Sequence, residues 1–246
     1  MKTNLTPSFA VVGHPNKGKS SIVSALAHDR SVKIGTIPGT TTHSDIFPMS
    51  VDGEVLYNLI DTPGFQRPRQ MLEELKSIET SVDKRPENLK YFIENKQNQE
   101  KYPDETRLLK PILEGAGIVY VVDGSVPYSA EYEAEMEILR WSAQPSLAIV
   151  NPIGGESYVE PWTKALRQFF SVVHIFNPLT ASFEKRLDLL SSFSSIEPKW
   201  KESLSTAVSV LKENRLKHIN KAANTCLLYT SPSPRDATLS RMPSSA

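Results

Sequence analysis

The segment GHPNKGKS, Gly13 to Ser20, closes the apolar run FAVVG and opens a stretch with helical patterning from Lys19 to Ala27. A strand, a glycine-rich turn and a helix in that order are the setting of the phosphate-binding loop G-x-x-x-x-G-K-S. Its glycines let the backbone wrap closely, and its N–H groups and the helix N-terminus favour a polyphosphate. The loop therefore makes Gly13, His14, Pro15, Asn16, Lys17, Gly18, Lys19, Ser20 and Ser21 candidate nucleotide-binding residues. Within it, Lys19 is expected to reach the β- and γ-phosphates, and Ser20 to ligate Mg2+.

Short apolar runs alternate with helical patterns along the chain. Phe9 to Gly13, Ser44 to Val51, Val55 to Asp61, Gly117 to Ser125, Ser146 to Asn151 and Val172 to Asn177 read as strands. Lys19 to Ala27, Ala130 to Trp141, Val159 to Phe169 and Phe183 to Phe193 read as helices. Apolar strands separated by helices predict an α/β fold of the phosphate-loop nucleoside triphosphatase type, a doubly wound, mostly parallel six-stranded sheet with helices on both faces. Asp52-Gly53 between the second and third runs is a hairpin signal, which makes one edge pair antiparallel.

Residues 67–114 break the alternation as a charged helical insertion, with Pro86 and Pro103 placed where helices start. Its expected role is a solvated face, with binding of an unknown protein partner as the second reading. Residues 1–195 are read as the nucleotide-binding domain and 196–225 as the start of a C-terminal helical region, carried by Trp200, Leu204, Ala207, Val208, Leu211 and Leu216 at helical spacing. Residues 226–246 stand apart. CLLYTSPSPRD and SRMPSSA resemble in-frame translations of a transposase adapter and of a flow-cell primer used in sequencing libraries, separated by the length of an index. That segment is expected to be an artefact and disordered, with the natural C-terminal region cut off near Thr225.

Charge and cysteine content narrow the function classes. Lys and Arg number 28 and Asp and Glu 28, a balance that gives no bulk signal for nucleic acid or acidic lipid. The single Cys, Cys226, falls in the adapter-like segment, which leaves no thiol for a disulfide, a metal site or a nucleophile in residues 1–225. A cytoplasmic location fits that usage. No apolar run reaches the ~20 residues that span a bilayer.

Two further motifs arrive in order. IGTIPGTTTHSD, Ile34 to Asp45, lies where a mobile loop would bring a Thr onto Mg2+ and the γ-phosphate. DTPG, Asp61 to Gly64, ends a strand; Asp61 is expected to hold Mg2+ through water, and the Gly64 N–H to sense the γ-phosphate.

With these residues the chain resembles the translation-factor-related GTPases of the Era and TrmE (MnmE) type, over roughly Ser8 to Ser195. The order DTPG, long helical insertion, ETRLLKPILEGAGIVYVVDGSVP and a strand ending in Asn is most similar to bacterial GTPases with a C-terminal domain of unknown function. The resemblance implies hydrolysis of GTP to GDP as a molecular switch, with Lys19, Thr41 and Gly64 at the chemistry and Ser20, Thr41 and Asp61 around Mg2+. Phe65 stands where Ras-like proteins keep a Gln that orients water, a role a hydrophobic residue cannot fill. In TrmE-like GTPases an Asn matching Asn16 binds K+, which implies K+ as a second cation and a G-domain homodimer. Stabilisation of the loop by Asn16 is the alternative.

The base-reading motifs depart from the family. Where relatives carry Asn-Lys-x-Asp, this chain has Asn151, Pro152, Ile153 and Gly154, so Asn151 remains and the guanine-reading carboxylate is gone. Where relatives carry Ser-Ala-Leu it has Asn177, Pro178 and Leu179, and Pro178 has no N–H to offer the guanine O6. Two classes of function follow: a Mg2+-dependent GTPase with an altered guanine-specificity motif, or a nucleotide-binding interaction module that is non-hydrolysing or base-unspecific. Use of ATP or of mixed nucleotides is a third reading. The five His residues show no metal-ligand spacing, and Trp141, Trp162 and Trp200 read as packing residues.

Overall fold

The computed structural model describes residues 6–27, 33–34, 45–51, 53–78 and 81–230. Its strands are β1 (Ser8–Val12), β2 (Lys33–Ile34), β3 (Asp45–Val51), β4 (Glu54–Asp61), β5 (Gly117–Asp123), β6 (Ser146–Asn151) and β7 (Val173–Ile175). They form one sheet in the order β2-β3-β4-β1-β5-β6-β7. The pairs β4-β1, β1-β5, β5-β6 and β6-β7 are parallel, and β2-β3 and β3-β4 are antiparallel. The six expected strands are all present. The two-residue β2 extends the antiparallel edge and was too short to leave a periodic signature.

The helices are α1 (Lys19–Ala27), α2 (Pro68–Ser77), α3 (Arg85–Glu94), α4 (Lys96–Lys101), α5 (Pro103–Leu113), α6 (Ala130–Trp141), α7 (Val159–Leu166), α8 (Phe183–Ile196) and α9 (Lys201–Thr230). Alternation along each strand divides the core into two halves. Ala10, Val12, Ile118, Tyr120, Val122, Ala148 and Val150 face α2, α3, α5, α6 and α7. Phe9, Val11, Val119, Val121, Leu147 and Ile149 face α1, α8 and α9. Both faces of the central strands are therefore apolar, as a parallel sheet covered twice requires.

The insertion is more than the solvated face expected of it. Met71 and Leu75 of α2, Leu89 and Phe92 of α3, and Leu108, Leu109 and Ile112 of α5 are buried in the first half of the core. Each such side chain contributes roughly 1.5–3 kcal/mol of transfer free energy, so the insertion is a structural layer. Prolines start three of its four described α-helices: Pro68 and Pro103 stand first in α2 and α5, and Pro86 second in α3.

On the opposite face α9 lays Leu204, Ala207 and Leu211 against the sheet behind Trp200. Trp200 meets Phe9 edge-on at 5.2 Å between ring centroids. It lies so near β5 that a Cβ on Gly117 would fall 2.6 Å from the indole. The expected boundary at 195/196 thus lies at the end of a helix packed on the same core, and that at 225/226 lies within α9. Among the described residues no helix is long and apolar enough to cross a membrane.

Candidate nucleotide-binding site

The C-terminal ends of β1, β4, β5 and β6 converge on one edge of the sheet, where ligands bind in open α/β folds. A cleft of about 610 Å³ there is lined by Pro15, Asn16, Gly18, Lys19, Ser20, Ser21, Thr62, Gly64, Asn151, Ile153, Asn177, Pro178 and Leu179. The phosphate loop bends through positive φ at Gly13, Asn16 (60°) and Gly18 (83°) before α1 begins at Lys19. Asn tolerates that left-handed region better than most residues. At Gly18 only a glycine fits, because a Cβ would lie 2.4 Å from Nδ2 of Asn151.

Lys19 is buried, and its Nζ donates to the carbonyls of Gly13 (3.3 Å) and His14 (2.9 Å). Burial lowers its pKa, with Asp61 and Glu135 pulling the other way. One residue on, the Ser20 hydroxyl donates to Asp61 Oδ2 at 2.6 Å. Burial raises the Asp61 pKa above the usual carboxylate value, opposed by that hydroxyl and by Lys19. The other oxygen, Asp61 Oδ1, is buried and has no hydrogen-bond partner among the described residues. Two hard oxygen groups in contact, one with an unpartnered atom, fit a Mg2+ ion.

DTPG is held against the loop. The Thr62 hydroxyl donates to the Val11 carbonyl at 2.8 Å, and a Cβ on Gly64 would lie 2.5 Å from the Pro15 nitrogen. Phe65 is fully buried in the core, away from the cleft. It has neither the chemistry nor the position to orient water. Thr41 lies outside the described residues.

Where the sequence places the base-reading motif, Asn151 is 1% exposed; its Nδ2 donates to the Lys17 carbonyl at 3.4 Å, and its Oδ1 has no partner among the described residues. Gly154 lies beside Ser125, whose Oγ would be 3.4 Å from an added Cβ. Around Pro178, the N–H groups of Leu179 (2.9 Å), Thr180 (3.3 Å) and Ala181 (2.9 Å) are spent on the side chain and carbonyl of Asn177. Residues 178–181 therefore offer no free N–H to a base carbonyl. Beside the side chains of Asn151 and Asn177, Ile153, Pro178 and Leu179 give this end of the cleft an apolar wall.

Three acidic residues under the site were not anticipated. Asp123, at the end of β5, lies 3.7 Å from Lys17 Nζ and accepts from the Ser125 N–H and hydroxyl. Glu135 of α6 is fully buried, 2.8 Å from His14 Nδ1, and accepts from the Tyr120 hydroxyl at 2.8 Å. Burial raises its pKa against those two partners. Glu105 of α5 is 1% exposed and accepts from backbone N–H groups just beyond DTPG. Glu105 begins the i, i+3, i+4, i+7 stripe completed by Leu108, Leu109 and Ile112, and Glu135 adjoins Tyr132, Met136 and Leu139. A carboxylate on an apolar stripe was the available signal.

The sheet order, the loop turning into α1 and DTPG at the end of β4 define a phosphate-loop nucleotide-binding domain. A sequence profile of the family described as 50S ribosome-binding GTPase matches residues 8–152, and the chain belongs to that family. The tRNA modification GTPase MnmE of Mycoplasmoides gallisepticum is 32% identical over 108 residues, 43% of this chain and 23% of that protein. GTPase Der of Thermoanaerobacter sp. (strain X514) is 40% identical over 74 residues, 30% of this chain and 17% of that protein. The matched stretch is thus less than a quarter of either relative. In fold, a variant of Era from Aquifex aeolicus bound to GDP and aluminium fluoride superposes with a TM-score of 0.50 at 16% identity, covering 78% of this chain and 56% of that one.

Proposed function

We propose that this chain binds GTP and hydrolyses it to GDP with Mg2+, acting in the cytoplasm as a molecular switch whose reading of the base is weakened. The observation that carries the proposal is the 2.6 Å contact of Ser20 with Asp61, beside a buried Asp61 oxygen that has no partner among the described residues. Ser20 and Asp61, with Thr41, would hold Mg2+, which supplies positive charge to the β- and γ-phosphate oxygens. The chain's own part is to cradle the phosphates with the N–H groups of residues 13–21, to place the Lys19 ammonium against them, and to present the Gly64 N–H to the γ-phosphate.

Water is positioned without help from Phe65. K+ beside Asn16 is the candidate for the missing positive charge, with a second copy of the domain closing the site; Asn16 lines the cleft, which supports this. The relatives' names, tRNA modification GTPase and GTPase Der, support hydrolysis. The occupied N–H groups of residues 179–181 and Gly154 at the carboxylate position favour a second reading, in which the cleft takes purine nucleotides with little regard to the base.

Phosphate release from GTP with Mg2+, in K+ and in Na+, tests the proposal. Release is expected to be faster in K+ and to vanish in Lys19→Ala. Release that survives Lys19→Ala would remove the site from the reaction, and equal rates in K+ and Na+ would remove the role of K+.

A further inference from the structure

The carboxylate of Glu105 ties the end of DTPG to the insertion. Its Oε1 accepts from the N–H of Gln66 at 2.8 Å and of Arg67 at 2.6 Å. Only Phe65 separates these residues from Gly64. Arg67 is the N-cap of α2 and has no side-chain cap of its own, so α2 is capped from another element, with negative charge where the helix favours it. A second tie lies further along α2: Glu74 accepts from the Tyr102 hydroxyl at 2.8 Å and pairs with Lys101. Between the two ties Phe65, Met71 and Leu75 pack with Leu108, Leu109 and Ile112.

We infer that Glu105 is a positioning residue that couples the turn at Gly64 to α5, so that a phosphate engaging Gly64 is felt across the insertion and the turn is held for hydrolysis. The inference rests on the proposed role of Gly64. A shift of Gly64 toward a γ-phosphate pulls on Gln66 and Arg67. If Glu105 stays behind, a buried carboxylate oxygen loses both donors, which is costly. If it follows, α5 moves with it. The insertion is thereby a reporter of nucleotide state built from two hydrogen bonds to one atom.

Hydrogen exchange with and without a non-hydrolysable GTP analogue and Mg2+, together with steady-state kinetics, tests this on wild type, Glu105→Ala, Glu105→Gln and, as a packing control, Leu108→Ala. In the wild type the analogue is expected to change exchange over both 64–70 and 101–113. Glu105→Ala should bind the analogue with affinity within about threefold, lose the response over 101–113, and lower kcat by about tenfold with KM little changed, the pattern of an interaction made in the transition state. Glu105→Gln keeps an acceptor oxygen and should recover most of both. Leu108→Ala should lose stability and keep the response. A response over 101–113 that persists in Glu105→Ala, or that is lost equally in Leu108→Ala, overturns the coupling. Wild type that binds the analogue without hydrolysing GTP would refute the proposed hydrolase alone, and the exchange comparison would still decide the coupling.

Discussion

Nδ1 of His14 lies 2.8 Å from a Glu135 carboxylate that is itself fully buried. The contact joins the phosphate loop to α6 beneath it, and Tyr120 of β5 completes the cluster. Replacing Glu135 with Ala strands a buried hydroxyl and the imidazole, so Glu135→Ala should cost about 1–3 kcal/mol. Glu135→Gln, which can still accept from Tyr120, should cost less than half as much. Urea denaturation of the two variants checks the order.

The loop at Gly154 offers a gain-of-function test. An added Cβ at Gly154 meets nothing closer than Ser125 Oγ at 3.4 Å, an ordinary contact, so a carboxylate can be placed there. Gly154→Asp should raise the preference for GTP over ATP by about tenfold or more, because a carboxylate there can accept from the guanine N–H groups and finds no matching donors on adenine. Competition binding measures the ratio. An unchanged ratio would show that this loop does not face the base.

A pH effect is expected at β7. His174 bonds to the Ser192 hydroxyl at 2.8 Å, and burial holds its pKa below the ordinary 6.5, against the opposite pull of Asp188. With a folded pKa below the unfolded one, its contribution is present above pH 6.5 and is lost as pH falls through the folded value. Wild type should therefore lose stability between pH 7.5 and 5 that His174→Gln retains. Urea midpoints at the two pH values decide it.

The packing of α9 is also testable. Trp200 is buried against Phe9 and Phe193, and Gly117 leaves room for its ring. Trp200→Ala should cost about 3–5 kcal/mol, read as a fall in the denaturation midpoint. A cost under about 1 kcal/mol would mean that α9 only rests on the domain.

Much of this was legible in the sequence, for identifiable reasons. The loop glycines and the doubly apolar central strands are local signals, and they located β1, α1, β4, β5 and β6 to within a residue or two. Lys19, Ser20, Gly64 and Asn151, far apart in sequence, do meet at one cleft, with Asp61 bonded to Ser20. Contacts made by side chains across elements were not legible. Glu105 and Glu135 carry charge, and only their positions on apolar stripes distinguish them from surface carboxylates. The insertion looked solvated because its charged outer face outnumbers the few residues, such as Met71 and Leu109, that fasten it to the sheet.

The proposed function has a nucleotide held by its phosphates at a weakened guanine site. Its most direct test is displacement of fluorescent GDP from the Mg2+-loaded protein by GTP, ATP and XTP, with Lys19→Ala alongside. GTP should displace the probe best, ATP by no more than about tenfold worse given the missing carboxylate, and Lys19→Ala should not retain the probe. Displacement by ATP in preference to GTP, or a probe bound as tightly by Lys19→Ala as by wild type, would contradict it.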